Sequence, residues 1–462
     1  MSRSGLAHGQ RGVPVTDPEG GMRIPPVRPV TVARRLAAIL GTLAVRGAVL
    51  PWYFLGGAVR KRTGTGARQR WLTETITELG PAFVKVAQLL STRPDLVPPR
   101  ICASLGELYD DVRPIPPDQL VPLLEPLLGS ALAGIVARDG GAAAASGSIA
   151  CVYTAQLPDG SRVAIKVRRP GIEQVLATDL TILRRGARAL GRLPWLRAVP
   201  VTEIVDQLTE SVFRQLDLAA ECEHLDELYR NMARFPRVRV PRPYRELSGS
   251  DVVVMEFVED LRRLRPSDID REAGEQAVVE ALRGVYQMLF QDGLVHCDLH
   301  PGNLYLRRDG SVAIVDAGFT VRLTPQAQDK FAGFFLHMAK GNGARCADIV
   351  LSTATPGPET DVEGFRRALS ALVEAHSGVS AAEFDLVGFA TRLFDIQRRF
   401  GLYADPQFVF PILSLLVLEG TIRDFAPDVD FQHEAMPFLV HGTMERAVRA
   451  WQASLSEADR LG

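Results

Sequence analysis

The sequence lacks three features that would assign it at once to a common class of protein. Its five cysteines are scattered and never spaced as Cys-x-x-Cys, which argues against a disulfide framework or a zinc site and favours a reducing compartment. Its formal net charge is −1, so we expect no nucleic-acid partner. Its first residues lack the apolar core and cleavage site of a secretory signal. With 462 residues, 46% of them hydrophobic, we expect an intracellular protein of more than one domain.

Residues 36–59 form a long apolar run with basic residues on both sides. About 20 apolar residues are enough to span a bilayer. However, Arg46 lies in the middle of the run, where a charge costs at least ~2.5 kcal/mol at the bilayer centre, and Pro51 interrupts it. We therefore favour contact with the membrane surface over a membrane span, with a buried helix or helix pair as the other alternative. Residues 1–30 are rich in Gly, Pro and Arg without periodicity and are predicted to be a disordered tail.

The segment His-Cys-Asp-Leu-His-Pro-Gly-Asn at 296–303 points to phosphoryl-transfer chemistry. Asp298 and Asn303 have the H-x-D-x-x-x-x-N spacing of a kinase catalytic loop, and Asp316 opens an Asp-x-Gly, where kinases place a metal-holding carboxylate. Phosphoryl transfer needs bound metal, charge neutralisation and an oriented nucleophile. Asp298 is predicted to be the general base or to orient the attacking group, and Asn303 and Asp316 to bind Mg²⁺ beside ATP. His296 is interpreted as structural rather than as an acid–base catalyst.

Two strand-like runs joined by a Pro-Asp-Gly turn predict a β-hairpin over residues 147–167. Lys166 closes the second run as Val-Ala-Ile-Lys, the signature of the kinase lysine that holds the α- and β-phosphates. Such a lysine needs a carboxylate partner. We assign this role to Glu221, in a helix predicted around residues 215–221, where Asp217 can lie on the same face.

The chain between these motifs also follows a kinase order. Strands are predicted at 238–240 and 252–255, and the second continues into Glu256 and Val258, where a kinase offers backbone groups to adenine. A helix is predicted over residues 272–291 and leads into the catalytic loop.

A helical, amphipathic stretch is predicted from Trp71 to Thr92. Lys85 and Gln88 lie three residues apart there and therefore on one helical face. Spacing alone favours a solvated surface for both residues.

Taken together, these motifs resemble the UbiB/ADCK group of atypical kinase-like proteins over roughly residues 70–430. Three further segments carry the resemblance: residues 79–96 are similar to the K-x-G-Q extension with its S-T-R-P-D-L, 145–150 to an Ala-rich nucleotide loop, and 166–172 to K-V-x-x-P-G-I. The resemblance implies ATP-dependent work on isoprenoid-quinone biosynthesis or other lipids. It also implies that Lys85 and Gln88 lie at the active site. The loop residues that it assigns to nucleotide binding are Ala145, Ser146, Gly147, Ser148 and Ile149.

The implied fold is α+β: a two-lobed protein-kinase-like fold with a small antiparallel β-sheet lobe, a larger helical lobe and a helical N-terminal extension. The predicted parts are the tail at 1–30, the extension at 31–138, the N-lobe at 139–258 and the C-lobe at 259–455. Residues 408–418 are too short to span a membrane and are predicted to be a core helix. Some positions depart from the family pattern, namely Ala87 for glycine, Cys151 for glutamine, Gln215 for the first acid of E-x-D, and Ala317 within D-A-G.

Three functions stay open at this point. The first is a UbiB-type kinase or ATPase that handles an isoprenoid or related lipid at the inner face of the cell membrane, with a biosynthetic enzyme complex as a further partner. The second is a soluble phosphotransferase for a small polar metabolite, and the third is a nucleotide-binding scaffold without turnover. Protein kinase activity is disfavoured, because no G-x-G-x-x-G precedes Lys166 and the link from Asp316 to a helix near Pro325 is too short for an activation segment.

Overall fold

The computed structural model describes most of the chain, including all the site residues predicted above. Residues 1–24 of the predicted tail lie outside the described residues. The described ranges are 25–59, 64–91, 93, 96–97, 99–105, 108, 113–139, 143–193, 201–263, 270–299, 302–357, 359–376 and 384–461.

Among the described residues, five helices precede the first strand and form the N-terminal extension. They are α1 (Pro29–Val59), α2 (Gly64–Leu79), α3 (Pro81–Ser91), α4 (Pro99–Leu105) and α5 (Pro117–Asp139). The stretch predicted as one helix from Trp71 to Thr92 is divided at Gly80, whose φ of +106° favours glycine, and Pro81 then starts α3. Among the described residues, no helix is both long enough and apolar enough to cross a membrane.

The small lobe is built on an antiparallel sheet in the order β1-β2-β3-β5. Its strands are β1 (Ala145–Ser146), β2 (Ala150–Gln156), β3 (Arg162–Arg168) and, after β4 (Val238–Arg239), β5 (Val252–Glu256). Alternate residues of β3 face the core, and Val163, Ile165 and Val167 are fully buried there. Three helices come between β3 and β4, namely α6 (Ile172–Leu190), α7 (Val201–Arg214) and α8 (Leu218–Met232).

The helix predicted around residues 215–221 begins three residues later, at Leu218. Asp217 is its N-cap, and its carboxylate accepts a hydrogen bond from the backbone N–H of Ala220 at 3.0 Å. Asp217 therefore caps α8, while Glu221 lies in the first turn and is buried.

The large lobe is mainly helical and follows the order expected for a kinase. Its helices are α9 (Arg271–Gln287), α10 (Pro325–Ala339), α11 (Gly343–Leu351), α12 (Val362–Ala375), α13 (Leu386–Arg399), α14 (Pro406–Phe425) and α15 (Phe431–Leu461). One turn of π-helix at Met288–Asp292 extends α9 to the end predicted for it. The core helix predicted over residues 408–418 lies within α14.

The large lobe also contains short strands, four of which carry the loops that hold the predicted catalytic and metal-binding residues. They are β6 (Arg262–Arg263), β7 (Leu294–His296), β8 (Leu304–Leu306), β9 (Val312–Ile314), β10 (Thr320–Arg322), β11 (Ala354–Pro356) and β12 (Leu402–Ala404). The catalytic loop connects β7 to β8, and the Asp-Ala-Gly segment connects β9 to β10. Strand β7 pairs with β10, and β8 pairs with β9. Both loops therefore cross between the same two small sheets and begin or end side by side. The two-lobed α+β fold is as predicted.

Candidate active site

Lys166 lies between two carboxylates that are distant from it in sequence. Its Nζ is 2.6 Å from Glu221 Oε1 and 2.8 Å from Asp316 Oδ2. Strand β3 supplies the lysine, the first turn of α8 supplies Glu221, and the loop after β9 supplies Asp316. The structure therefore brings together three of the residues predicted for phosphoryl transfer.

Burial and charge set the protonation of this cluster. Burial lowers the pKa of Lys166, but the two carboxylates outweigh it and raise that pKa above its usual value. Burial raises the pKa of Glu221 to about 7, although the ammonium of Lys166 opposes this. Burial also acts to raise the pKa of Asp316, but Lys166 and the hydrogen bond from Gly318 outweigh it and hold that pKa well below its usual range. Asp316 is therefore the more acidic of the two carboxylates and is ionised at neutral pH.

Gly318 is needed at the third position of the Asp-Ala-Gly segment because the cluster leaves no room for a side chain. Its backbone N–H donates to Asp316 Oδ1 at 2.6 Å. A Cβ atom at this position would lie 2.9 Å from that same oxygen, 3.1 Å from Glu221 Oε2 and 3.2 Å from Lys166 Nζ. The glycine thus allows the metal loop to approach the lysine and its partner closely.

His296 connects the catalytic loop to the metal loop. Its ring is fully buried, with Nε2 at 2.5 Å from the backbone carbonyl oxygen of Asp316 and Nδ1 at 3.2 Å from the backbone nitrogen of Asp298. The Asp298 amide can only donate and the Asp316 carbonyl can only accept, so the two contacts together assign a neutral ring protonated on Nε2. These contacts favour the structural interpretation of His296.

Asn303 contacts Asp298 of the catalytic loop through its side chain and the residue before Asp316 through its backbone. Its side-chain N–H₂ donates to the backbone carbonyl oxygen of Asp298 at 2.9 Å and to the Asp298 carboxylate at 3.2 Å. The backbone carbonyl oxygen of Asn303 accepts a hydrogen bond from the backbone N–H of Val315, the residue before Asp316. Because Asp298 holds the amide nitrogen, the amide oxygen is left to act as an acceptor or metal ligand.

Residues 107–350 match a protein-family model described as the ABC1 atypical kinase-like domain. The chain belongs to this family. It is 32% identical over 414 residues to the probable protein kinase UbiB of Pseudomonas aeruginosa, covering 87% of this chain and 76% of that one. It is 34% identical over 389 residues to the probable protein kinase UbiB of Cellvibrio japonicus, covering 82% and 69%. The predicted resemblance to the UbiB group is confirmed.

Among solved structures, the chain is similar to a Mycobacterium tuberculosis protein crystallised as an erythromycin complex. The two share 19% sequence identity with a TM-score of 0.50, and the similarity covers 82% of this chain and 97% of that one. This similarity supports the fold.

The Ala-rich loop of this ABC1 chain is a tight turn held by an arginine that the sequence analysis did not single out. The backbone N–H of Gly147 donates to the carbonyl of Ala150 at 2.9 Å, which closes the turn between β1 and β2. Arg169 donates to the carbonyl of Gly147 at 2.7 Å and to the hydroxyl of Ser146 at 2.8 Å. Its backbone N–H also donates to the carbonyl of Ile149. The signal was present in the K-V-x-x-P-G-I motif, whose second variable position is Arg169.

Glu256 and Val258 occupy the end of β5, where the chain passes between the lobes. The Glu256 side chain is paired with Arg239 at 2.5 Å, and the Glu256 backbone N–H donates to the carbonyl of Arg242 at 2.8 Å. Val258 is buried. Contact of these two residues with adenine stays a prediction.

The K-x-x-Q residues lie on α3. Gln88 donates from its amide to the carbonyl of Leu108 at 3.1 Å, and Lys85 is half-buried on the same helix. Ala87, which departs from the family glycine, is buried in a small cluster with Val84 and Leu108. The role of Lys85 and Gln88 at the active site stays a prediction.

A second arginine that sequence reasoning missed connects the extension to the catalytic region. Arg93, from the S-T-R-P segment, is 1% exposed, and its guanidinium lies 5.6 Å from the ring centroid of Phe410. Phe410 in turn packs edge-on against Phe319, the residue after Gly318, with ring centroids 4.8 Å apart. Through these contacts the extension reaches the residue next to the metal loop.

Proposed function

We propose that this protein is a UbiB-type atypical kinase or ATPase that binds ATP with Mg²⁺ and couples its turnover to isoprenoid-quinone or related lipid biosynthesis. The observation that carries the proposal is the contact of Lys166 with both Glu221 and Asp316. In this role Lys166 binds phosphate oxygens while Glu221 holds its ammonium in place. Asp298 orients or deprotonates the attacking group.

The charges of the site fit a divalent cation. The ionised carboxylate of Asp316 lies beside Lys166, and Asp298 stands on the neighbouring loop, which His296 joins to the metal loop. A bound nucleotide would add further negative charge, which Mg²⁺ is suited to neutralise through oxygen ligands. Asp316 and the amide oxygen of Asn303 would hold the metal, and phosphate oxygens would complete its shell. The metal would supply charge neutralisation for the transferred phosphoryl group.

The substrate that we propose is a small amphiphilic molecule rather than a protein. The chain passes from Asp316 through β10 directly into α10 at Pro325, and this short link offers little surface for docking a peptide. The curated relatives carry the name probable protein kinase, so transfer to a protein is the second candidate. It would require a platform elsewhere on the protein.

The outer face of α1 supports peripheral contact with a membrane. Arg46, the charge that interrupts the apolar run, turns inward and pairs with Glu74 at 2.9 Å and with Glu78. Its side chain is only 13% exposed, whereas the exposed residues of α1 between 36 and 45 are all apolar or small. These residues include Leu40 and Leu43. We propose that this face lies in the interfacial region of the inner leaflet.

The catalytic proposal is tested by Mg²⁺-dependent ATP hydrolysis with purified protein. Turnover would be measured with and without anionic liposomes and a phenolic quinone precursor, and compared with Asp316→Asn. We expect turnover that rises with the lipid and precursor and is lost in the variant. ATP binding without turnover under all conditions would favour a nucleotide-binding scaffold. Phosphorylation of an added protein without lipid-dependent turnover would favour the second candidate.

The membrane proposal is tested by liposome flotation. The double variant Leu40→Glu/Leu43→Glu is expected to lose at least tenfold in binding, because it places two charges on the proposed contact face. The matched control is Val175→Glu, which adds charge at another exposed apolar position, on α6. Equal flotation of the double variant and the wild type would reject α1 as the membrane contact.

A further inference from the structure

A mostly apolar cavity lies in the large lobe between α10, α11, α13 and α14. Its volume is about 70 Å³, and none of the predicted site residues lines it. The walls are largely aromatic and aliphatic, with Phe331, Phe334, Phe389, Leu393, Phe408 and Ile412 among them. Such apolar cavities stay dry and bind apolar guests, so this space is suited to a hydrocarbon group.

The volume sets the size of the group that can enter. One water molecule requires about 10–15 Å³ of cavity volume, so 70 Å³ corresponds to roughly five waters. The space therefore suits a chain segment of about five carbon atoms. Gln397, which is 3% exposed, places an amide in the mostly apolar wall, and Lys330 and Thr353 are two further polar residues that line the cavity. A guest with an oxygen atom beside its hydrocarbon end could pack its carbon atoms against the apolar residues and hydrogen-bond to the polar ones.

Helix α14 connects this cavity to the candidate active site. Phe408, Ile412 and Leu416 recur every four residues and line the cavity. Phe410 and Ser414 lie on the opposite side of the helix. The Ser414 hydroxyl donates to the carbonyl oxygen of His296 at 2.8 Å, and Phe410 packs against Phe319 of the metal loop. The same helix thus contacts the cavity with one face and both catalytic loops with the other.

Helix α14 also contains a residue that weakens its own backbone ladder. Pro411 lies between Phe410 and Ile412 and has no N–H to donate to the preceding turn. The position of α14 therefore depends more on side-chain packing at this point than in an uninterrupted helix.

We propose that this cavity binds the hydrocarbon end of an amphiphilic molecule, and that α14 links its occupancy to the position of the catalytic loops. A guest that binds only when the cavity walls are in place favours the arrangement in which Ser414 and Phe410 hold those loops. The expected effect on turnover rests on the proposed ATP-dependent function. Binding itself does not, and the experiment separates the two.

Binding is measured on the full chain in the absence of membranes by isothermal titration calorimetry with the probe 1-pentanol, whose five-carbon chain matches the size of the cavity. Competition is measured with 1-decanol, whose hydrocarbon end can enter the same space. Two variants fill the cavity from opposite walls: Ala390→Leu from α13 and Ile412→Phe from α14. The matched control is Val387→Leu, an exposed position on α13 that does not line the cavity. Thermal unfolding reports whether each variant is folded, and Asp316→Asn reports whether the probe uses the nucleotide site.

We expect saturable, one-to-one probe binding that decanol displaces, unchanged in Val387→Leu and Asp316→Asn, and at least tenfold weaker in each cavity-filling variant that folds. Equal probe affinity in the folded cavity-filling variants, or binding that does not saturate, would overturn the site. If one variant fails to fold, the other variant and the decanol competition decide the matter.

The coupling is measured by ATP turnover of the same proteins. We expect decanol to raise turnover several-fold in the wild type and Val387→Leu but not in the cavity-filling variants. Binding without any change in turnover would reject the coupling through α14. A wild type that binds the probe but never hydrolyses ATP would contradict the proposed function and leave the cavity site standing.

Discussion

The imidazole of His296 donates from Nε2 to the backbone carbonyl of Asp316 across 2.5 Å, which joins the catalytic loop to the metal loop. The same ring accepts the amide N–H of Asp298 on Nδ1. Both contacts use backbone groups, so the ring positions the backbone that carries the side chains of Asp298 and Asp316. The backbone carbonyl oxygen of His296 accepts a hydrogen bond from the hydroxyl group of Ser414 on α14.

Replacement of His296 by alanine is expected to destabilise the protein and to weaken nucleotide binding. The variant leaves the Asp298 amide and the Asp316 carbonyl without their partner, and each unsatisfied buried group costs about 1–3 kcal/mol. For the two groups together we expect a loss of roughly 2–6 kcal/mol in the free energy of unfolding by urea. His433→Ala, at an exposed position of α15, is the control. Unchanged stability in His296→Ala would show that the ring does not hold the loops.

Gly318→Ala is expected to weaken Mg²⁺–ATP binding by at least tenfold while leaving a folded protein. The added methyl group would lie 2.9 Å from Asp316 Oδ1 and 3.2 Å from Lys166 Nζ, so the metal-binding carboxylate or the lysine must move. Affinity is measured by isothermal titration calorimetry. Gly134→Ala is the matched control, because a Cβ there meets nothing within 4 Å and alanine is favoured by about 1 kcal/mol in a helix. Equal affinity in the two variants would contradict the prediction.

Glu221 is expected to give folding a pH dependence that Glu221→Gln removes. Its pKa is raised from 4.5 to about 7 in the folded protein, so the folded state binds more protons than the unfolded chain between these values. The stabilisation from this group is therefore fully present below pH 4.5 and is lost as pH rises through 7, with a slope of at most about 1.4 kcal/mol per pH unit.

The measurement is the free energy of unfolding by urea from pH 4.5 to 8 for the wild type and Glu221→Gln. Their difference should change with pH across this window. Glu223→Gln, at an exposed position of the same helix, serves as the control and should keep the wild-type pH dependence. A constant difference between Glu221→Gln and the wild type would mean that Glu221 does not titrate there.

Arg35→Ala is expected to loosen the attachment of α1 to α6. The Arg35 guanidinium binds both carboxylate oxygens of Asp179, at 2.6 and 2.9 Å, and Asp179 is completely buried. Removing the arginine leaves a buried, uncompensated carboxylate, which costs about 3–5 kcal/mol. The measurement is urea unfolding, with limited proteolysis of α1 as a second readout. Arg34→Ala, at the adjacent exposed position, should change stability by less than about 0.5 kcal/mol; similar effects in both variants would reject the buried pair as the cause.

Much of the fold and the chemistry could be predicted because the informative residues form short local motifs. The helix expected near Pro325 begins there, and the core helix expected over residues 408–418 lies within α14. Glu221 was predicted as the partner of Lys166, and Asp316 as a metal ligand near the same site; in the structure Lys166 contacts both carboxylates.

The contacts that could not be predicted join residues far apart in sequence. Arg35 and Asp179 are separated by 144 residues, and no periodicity relates them. Arg93 meets Phe410 across more than 300 positions. The partner of Arg46 was also missed, and with it the reason why a charge is tolerated in the apolar run. Pairs of this kind depend on how helices pack, which local pattern does not encode.

The amino-acid sequence by itself determined which chemical groups are present and in what order: the lysine, the carboxylates, the amide and the short metal loop. Residue type and spacing are sufficient for this, because each motif lies within a few turns or strands. Only the tertiary structure decided which groups meet, which face of α1 stays apolar once Arg46 turns inward, and that α14 lies between a cavity and the catalytic loops. These relations arise from packing among distant elements, where burial and charge pairing select one arrangement from many.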